Sequence, residues 1–178
     1  MKKGICLLLA ALMLFAMASC AKTDGSMGLA YVLHTDEKTC TVQGRGSNTD
    51  ADLVIPTTIK GDAVIAVGAR AFEYDKSLKS VIIPEGVTRI GNFAFYLCVD
   101  MGTIVIPKSV TKIERYAFMS SGVGIVYYEG TAEEWDKIEI DLYNEILTGA
   151  IRAYYSEEAP TGEGKFWHYV DGKPTLWQ

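Results

Sequence analysis

Ser80-Val81-Ile82-Ile83-Pro84-Glu85-Gly86-Val87-Thr88-Arg89-Ile90-Gly91-Asn92-Phe93-Ala94-Phe95 decides the fold, because neighbouring stretches repeat its pattern. Ala71-Phe72, Ala94-Phe95 and Ala117-Phe118 each follow the last by 23 residues. Four residues before each phenylalanine stand Gly68, Gly91 and Glu114, and one further back Val67, Ile90 and Ile113. Val54-Ile55-Pro56, Ile82-Ile83-Pro84 and Val105-Ile106-Pro107 open the three units. A period in this range marks a solenoid, whose coils cannot bury their apolar faces alone and therefore stack.

Within a coil the pattern assigns directions. Leu78, Val81 and Ile83 point inward, and Pro84, having no N–H, ends the strand. Glu85-Gly86 turns the corner, Val87 and Ile90 return to the core, and Ala94-Phe95 plug it. Coil three repeats this through Met101, Ile104, Ile106, Val110, Ile113 and Phe118. Coil one carries five extra residues around Thr58 to Asp62, a turn expected to bulge from the stack. Val126 and Tyr128 begin a fourth strand, one residue short of register.

The residues between the inward ones must point out. Val54, Ile82 and Val105 then form a ladder at the strand spacing of about 4.8 Å, flanked by Ser80 and Thr103 and extended by Tyr127. Contiguous exposed apolar residues mark contact surfaces, so these six are the candidate partner-binding residues.

The motif Ile83-Pro84, Val87-Thr88, Ile90-Gly91, Ala94-Phe95, Cys98 and Met101 resembles the BspA-type leucine-rich repeat of bacterial surface proteins. Met101 stands for the usual leucine and Glu114 for the usual glycine, which suggests a last turn adapted to a neighbour. The resemblance implies a short right-handed coil, mostly β with short helical turns, and a sheet face on which partners dock.

Met1-Lys2-Lys3 followed by the apolar run Ile5 to Ala18 reads as a signal peptide, too short to span a bilayer. Met17-Ala18-Ser19-Cys20 resembles the lipobox of bacterial lipoproteins, which implies lipidation at Cys20. The alternative is cleavage after Ala18 and secretion. The organisation expected is a signal peptide over 1–19, a tether over 20–28 and an N-terminal hairpin cap over 29–52. Three repeat coils over 53–130 and a C-terminal cap over 131–178 complete it. Leu29–Leu33 and Thr39–Gln43 supply the first hairpin, with polar His34–Lys38 between them. Thr131 three residues before Glu134 is a capping box that starts a short helix, from which Trp135 and Ile138 dock on the last coil. Ile138-Glu139-Ile140 alternates as a strand, and Asn144 to Ala153 is ambiguous. Asp171-Gly172 between apolar runs marks a terminal hairpin.

Formal charge is −5, or −7 once Lys2 and Lys3 leave, so nothing neutralises phosphates and nucleic acid is excluded as a partner. The acidity is uneven, with two Lys/Arg against ten Asp/Glu from Glu129 to Glu163, which reads as a solvated face. Of the cysteines outside the signal and lipid site, Cys98 sits inside a coil as a small apolar residue. An oxidising exterior permits a Cys40–Cys98 bridge without requiring it. Asp50 and Asp52 share a loop with no full cation ligand set. His34 and His168 fall in a turn and a hairpin, and the sequence holds no phosphate-cradling loop or metalloprotease motif. No cofactor or metal is expected, and no enzymatic activity.

Two classes of binding function remain. One is a non-catalytic adhesion surface that docks an extracellular or host protein, held at the envelope by its lipid. The other is a carbohydrate-binding module using the aromatics crowded between Tyr127 and Trp177, which a small cap also needs for its own core. A second row, Arg70, Phe93 and Tyr116, recurs two residues before each phenylalanine and is expected to stack, cation over ring, on the outside.

Overall fold

The computed structural model describes residues 25–178 apart from residue 36. The signal peptide and Cys20 lie outside the described residues. The chain forms β1 (Ala30–His34), β2 (Thr39–Gly44), β3 (Asp52–Val54), β4 (Thr58–Ile59), β5 (Asp62–Val67), β6 (Ser80–Ile82) and β7 (Arg89–Ile90). It continues through β8 (Thr103–Ile106), β9 (Lys112–Ile113), β10 (Ile125–Tyr128), α1 (Ala132–Trp135), β11 (Glu139–Ile140) and α2 (Glu145–Gly149). Last come β12 (Ile151–Tyr155), β13 (Phe166–Val170) and β14 (Lys173–Leu176).

These strands make two seven-stranded sheets. The first runs β1-β2-β5-β7-β9-β11, with β4 on β5; the second runs β14-β13-β12-β10-β8-β6-β3. Through the repeats successive strands therefore alternate between the sheets, each coil giving one strand to each, and within each sheet β3, β6, β8, β10 and β12, or β5, β7, β9 and β11, pair in parallel. The result is a β-solenoid of short leucine-rich-repeat coils with few helices.

The sequence repeat maps onto the core as drawn. Leu53, Val81, Ile104 and Val126 share one inward row and are buried. The Phe95 ring lies between Phe72 at 5.4 Å and Phe118 at 5.2 Å, stacked on both. Around this plug the backbone bonds from coil to coil: the Phe72 N–H donates to Ala94 O and the Phe95 N–H to Ala117 O, each at 2.8 Å. Gly91 is needed there, because a Cβ would lie 2.7 Å from the Ala69 backbone nitrogen.

Arg70, Phe93 and Tyr116 all adopt left-handed φ near 60°, as does Tyr143. That conformation costs a non-glycine residue about 1–2 kcal/mol, and here it throws four side chains outward into one column. The Arg70 guanidinium sits 4.6 Å over Phe93, Phe93 stacks on Tyr116 at 4.8 Å, and Tyr116 on Tyr143 at 4.4 Å. The expected outer row is present, and the cap lengthens it by one ring.

Both ends are covered as the sequence indicates. β1 and β2 form an antiparallel hairpin whose second strand joins β5. Thr131 and Glu134 make the capping box of α1, and Trp135 and Ile138 are buried. β13 and β14 form the terminal hairpin, with Asp171 at φ 49° and Gly172 at φ 75° in its turn. The ambiguous stretch resolves into α2 and β12, and β12 extends the parallel second sheet beyond the last recognisable repeat.

Several expectations need correcting. The extra residues of coil one form a hairpin arm rather than an irregular turn: β4 folds back antiparallel onto β5, off the main strand path of the first sheet. Glu114 reaches back to coil two rather than on to a neighbour, accepting from the Asn92 N–H at 2.8 Å and pairing with Arg89. The bridge that the sequence left open is not formed: Cys40 and Cys98 are free and buried, Cys98 packing inside its coil as read, with its thiol donating to Phe72 O at 3.0 Å.

Candidate functional site

The outward face of the second sheet is where the sequence placed a contact surface, and its register is strict. Val54, Ile82, Val105, Tyr127 and Ala153 lie side by side on five successive strands. Asp52, Ser80, Thr103 and Ile125 form the adjoining row. The Ser80 hydroxyl donates to Asp52 Oδ1 at 2.6 Å, tying two coils together along that row.

Exposure along the ladder is graded. Val54, Ser80, Ile82 and Thr103 are half-buried, whereas Val105 is 1% and Tyr127 6% exposed. The expectation that Val105 and Tyr127 are open is therefore corrected. The last strands bring Trp167, Tyr169 and Leu176 into contact with this end of the row, the Trp167 ring lying 5.3 Å from that of Tyr127. Val105, Tyr127, Ala153 and Trp167 make a second, smaller core there. Trp167 is fully buried, and its indole N–H donates to Tyr128 O at 2.9 Å.

The open end of the ladder becomes the floor of a groove of about 1620 Å³. One wall is the N-terminal side, where Met27, Tyr31, Ile59 and Lys60 stand; the other is Tyr155, Tyr169 and the turn Asp171–Pro174. Lys60 lies 5.6 Å from the Tyr31 ring centroid, and a hydrogen bond with Tyr31 holds its ammonium pKa above the ordinary lysine value. On the far wall the Tyr169 hydroxyl donates to Glu129 Oε1 at 2.9 Å.

Sequence reasoning identified the floor and, among the C-terminal aromatics, Tyr155 and Tyr169 of one wall; it missed the N-terminal wall and the joining of these parts into one groove. Val54, Ser80, Ile82 and Thr103 repeat at the coil period, which is a local signal. Tyr31, Lys60, Tyr155 and Tyr169 come from four segments that carry no shared period.

The other candidates lie elsewhere. Asp50 accepts from Asn48 Nδ2 at 2.9 Å, a bond that heads the causes holding its carboxyl below the usual range, and Asp52 is engaged with Ser80. Among the described residues no group of three or more His, Cys, Asp or Glu is placed to hold a metal. His34 bonds to the Thr39 and Thr41 hydroxyls, and His168 stacks on Trp177 at 3.8 Å. Tyr127, Tyr128, Trp135 and Trp167 are buried, Tyr128 and Trp135 in the main core and Tyr127 and Trp167 in the smaller one. Tyr155 and Tyr169 belong to the groove.

Residues 54–135 match the model of the BspA type leucine rich repeat region, in six copies. Among solved structures, a leucine-rich repeat protein from Bacteroides capillosus is 19% identical with a TM-score of 0.55, over 67% of this chain and 88% of that one. A T. pallidum leucine-rich repeat protein is 24% identical with a TM-score of 0.52, over 60% of this chain and 53% of that one. The chain thus corresponds to about half the length of the T. pallidum protein. A search of curated proteins finds no match.

Proposed function

Because residues 54–135 are a BspA-type leucine-rich repeat region, we propose that this is a non-catalytic surface-binding protein that docks an extracellular protein in the groove of its second sheet. The carrying observation is the groove itself, floored by Val54 and Ile82 and walled by elements from both ends of the chain. A face meant only for solvent would carry charged or hydroxyl side chains in the row that Val54 and Ile82 occupy.

Its place is the cell envelope, outside the cytoplasm. The support is the signal-like N-terminus, the lipobox resemblance ending in Cys20, and the surface character of the repeat family. Cys20 would carry the lipid that holds the protein at the membrane.

Ile82→Lys tests the reading. Its half-buried side chain lies on the groove floor, so the variant should fold with an unchanged far-UV spectrum. Attachment to immobilised extracellular-matrix proteins should fall to background. A folded Ile82→Lys protein that still attaches fully would place the contact elsewhere.

A further inference from the structure

We propose that the N-terminal end of the solenoid is a membrane-contacting face, resting on the bilayer that holds the lipid of Cys20. The inference rests on Cys20 carrying that lipid.

The chain is fixed to the fold from Gly25 onward. The Ser26 N–H donates to Val54 O at 2.6 Å, and the Ser26 hydroxyl accepts from the Val54 N–H at 3.1 Å, closing the outer edge of β3 at that residue. Met27 O accepts from Asn48 Nδ2 at 2.9 Å, and Gly28 O from the Ser47 N–H at 2.9 Å. Gly25 adopts φ 78°, and a Cβ there would lie 2.6 Å from Pro56. Only glycine lets the chain turn so closely against the sheet. Ala21 to Asp24 are then all the slack that separates this seat from Cys20. Five steps along the chain span at most about 18 Å.

That reach decides which end can meet the membrane. β1 and β11 end the strand path of the first sheet, five spacings apart, or about 24 Å. A solenoid standing on its β11 end would lift Gly25 beyond the reach of the tether. Lying on its first sheet, it would press the row Arg89, Lys112 and Glu139 into lipid. Lying on the groove, it would press Glu85, Lys108 and Lys173 there. Taking charged groups out of water is costly. The N-terminal end is what remains.

That end offers apolar groups. Met27, on the seat itself, is 79% exposed, and Val32 and Leu33 on the edge strand β1 are 52% and 43% exposed. Apolar side chains held beside a lipid anchor gain by leaving water for the bilayer surface. The charges on these segments are of both signs, Glu37 with Lys38 and Arg45 with Asp50, so the contact does not call for anionic lipid. Met27 and Tyr31 also line the groove, which therefore opens beside the membrane.

Acylated protein purified from membranes tests this. Acylation blocks the Cys20 thiol, and Cys40 and Cys98 are buried, so a cysteine introduced as Met27→Cys or Leu142→Cys takes an environment-sensitive dye selectively. Leu142, 64% exposed just beyond β11, marks the far end. In phosphatidylcholine vesicles the dye at position 27 should shift to the blue and be quenched by lipids brominated on their chains. The dye at position 142 should do neither, and adding phosphatidylglycerol should change nothing. A dye at position 27 that stays in water, on protein of acylated mass, would overturn the face and leave the anchor standing. Equal shifts at both positions would mean a solenoid lying on its side, and a shift that needs phosphatidylglycerol would mean attraction by charge; each overturns the proposal. Mature protein that lacks acyl mass and does not join the vesicles would remove the anchor, and this face with it.

Discussion

The backbone N–H of Phe118 donates to the side-chain Oδ1 of Asn144 at 2.9 Å. In the two preceding coils the same N–H, on Phe72 and Phe95, finds the backbone carbonyl of the next coil's alanine. No fourth Ala-Phe turn follows, and a side-chain amide stands where that carbonyl would be. Asn144 also donates to Glu114 O at 3.0 Å and to Asp141 O at 2.9 Å, and is itself buried. A solenoid that stops must satisfy the backbone groups of its last coil, and one asparagine does so on this face.

Asn144→Ala is expected to lower stability by about 1–3 kcal/mol, because it leaves the Phe118 N–H buried without an acceptor. For a domain of this size the melting temperature should drop by roughly 2–4 °C per kcal/mol. A shift within error would mean that water or a local rearrangement replaces the amide.

Phe95→Ala should be more damaging than either neighbouring change. Its ring stacks on Phe72 and Phe118 at once, so truncation opens a cavity between two coil interfaces. Buried phenylalanine-to-alanine changes cost about 3–5 kcal/mol. Urea unfolding reads this directly, and an unchanged midpoint would show that the plug is not a shared core.

Lysine substitutions along the ladder should divide by position. Ile82→Lys should keep the fold, since the residue is only half-buried and lines the groove, where the ammonium can reach water. Val105→Lys buries a charge at a site 1% exposed, and should cost at least about 2 kcal/mol. Equal stability of the two variants would contradict the cover given by Trp167, Tyr169 and Leu176.

Alkaline pH should weaken the fold through its buried acids. Burial pushes the Cys98 thiol from 9.0 up to about 12. The Tyr128 hydroxyl rises from 10.0 to about 12 for the same chief reason. Both groups are held neutral in the native state, so the unfolded chain releases their protons first. Their contribution is full below about pH 9 and declines as pH rises towards 12. Cys98→Ala should flatten part of that decline, measured by urea unfolding between pH 8 and 11. The native Cys98 thiol should also resist a thiol reagent at pH 8 and react on unfolding; prompt reaction would contradict its burial.

Lipidation at Cys20 predicts a mature N-terminus carrying acyl mass, and partition into detergent. Cys20→Ala should lose both. If the variant stays membrane-bound with an unaltered mature mass, the lipobox reading is wrong.

The sequence by itself determined the coil. A 23-residue recurrence of Ile-Pro and Ala-Phe names the inward residues, because each coil must bury the same face against the next. Short-range chemistry likewise marked the Thr131–Glu134 box and the Asp171-Gly172 turn, both set by hydrogen bonds or φ angles within a few residues. Even the outer column of Arg70, Phe93 and Tyr116 was legible, since it shares the period. What only the tertiary structure decided is where aperiodic parts land. Nothing near Trp167 in sequence says that it packs with Val105 and Tyr127, or that Tyr31 and Tyr169 line one groove with Ile82. Those placements depend on which strands the aperiodic ends join, Tyr31 in the first sheet and Trp167 and Tyr169 in the second, a pairing between distant segments that no local stretch encodes. The period therefore yields the groove's floor, and the assembled solenoid alone yields its walls.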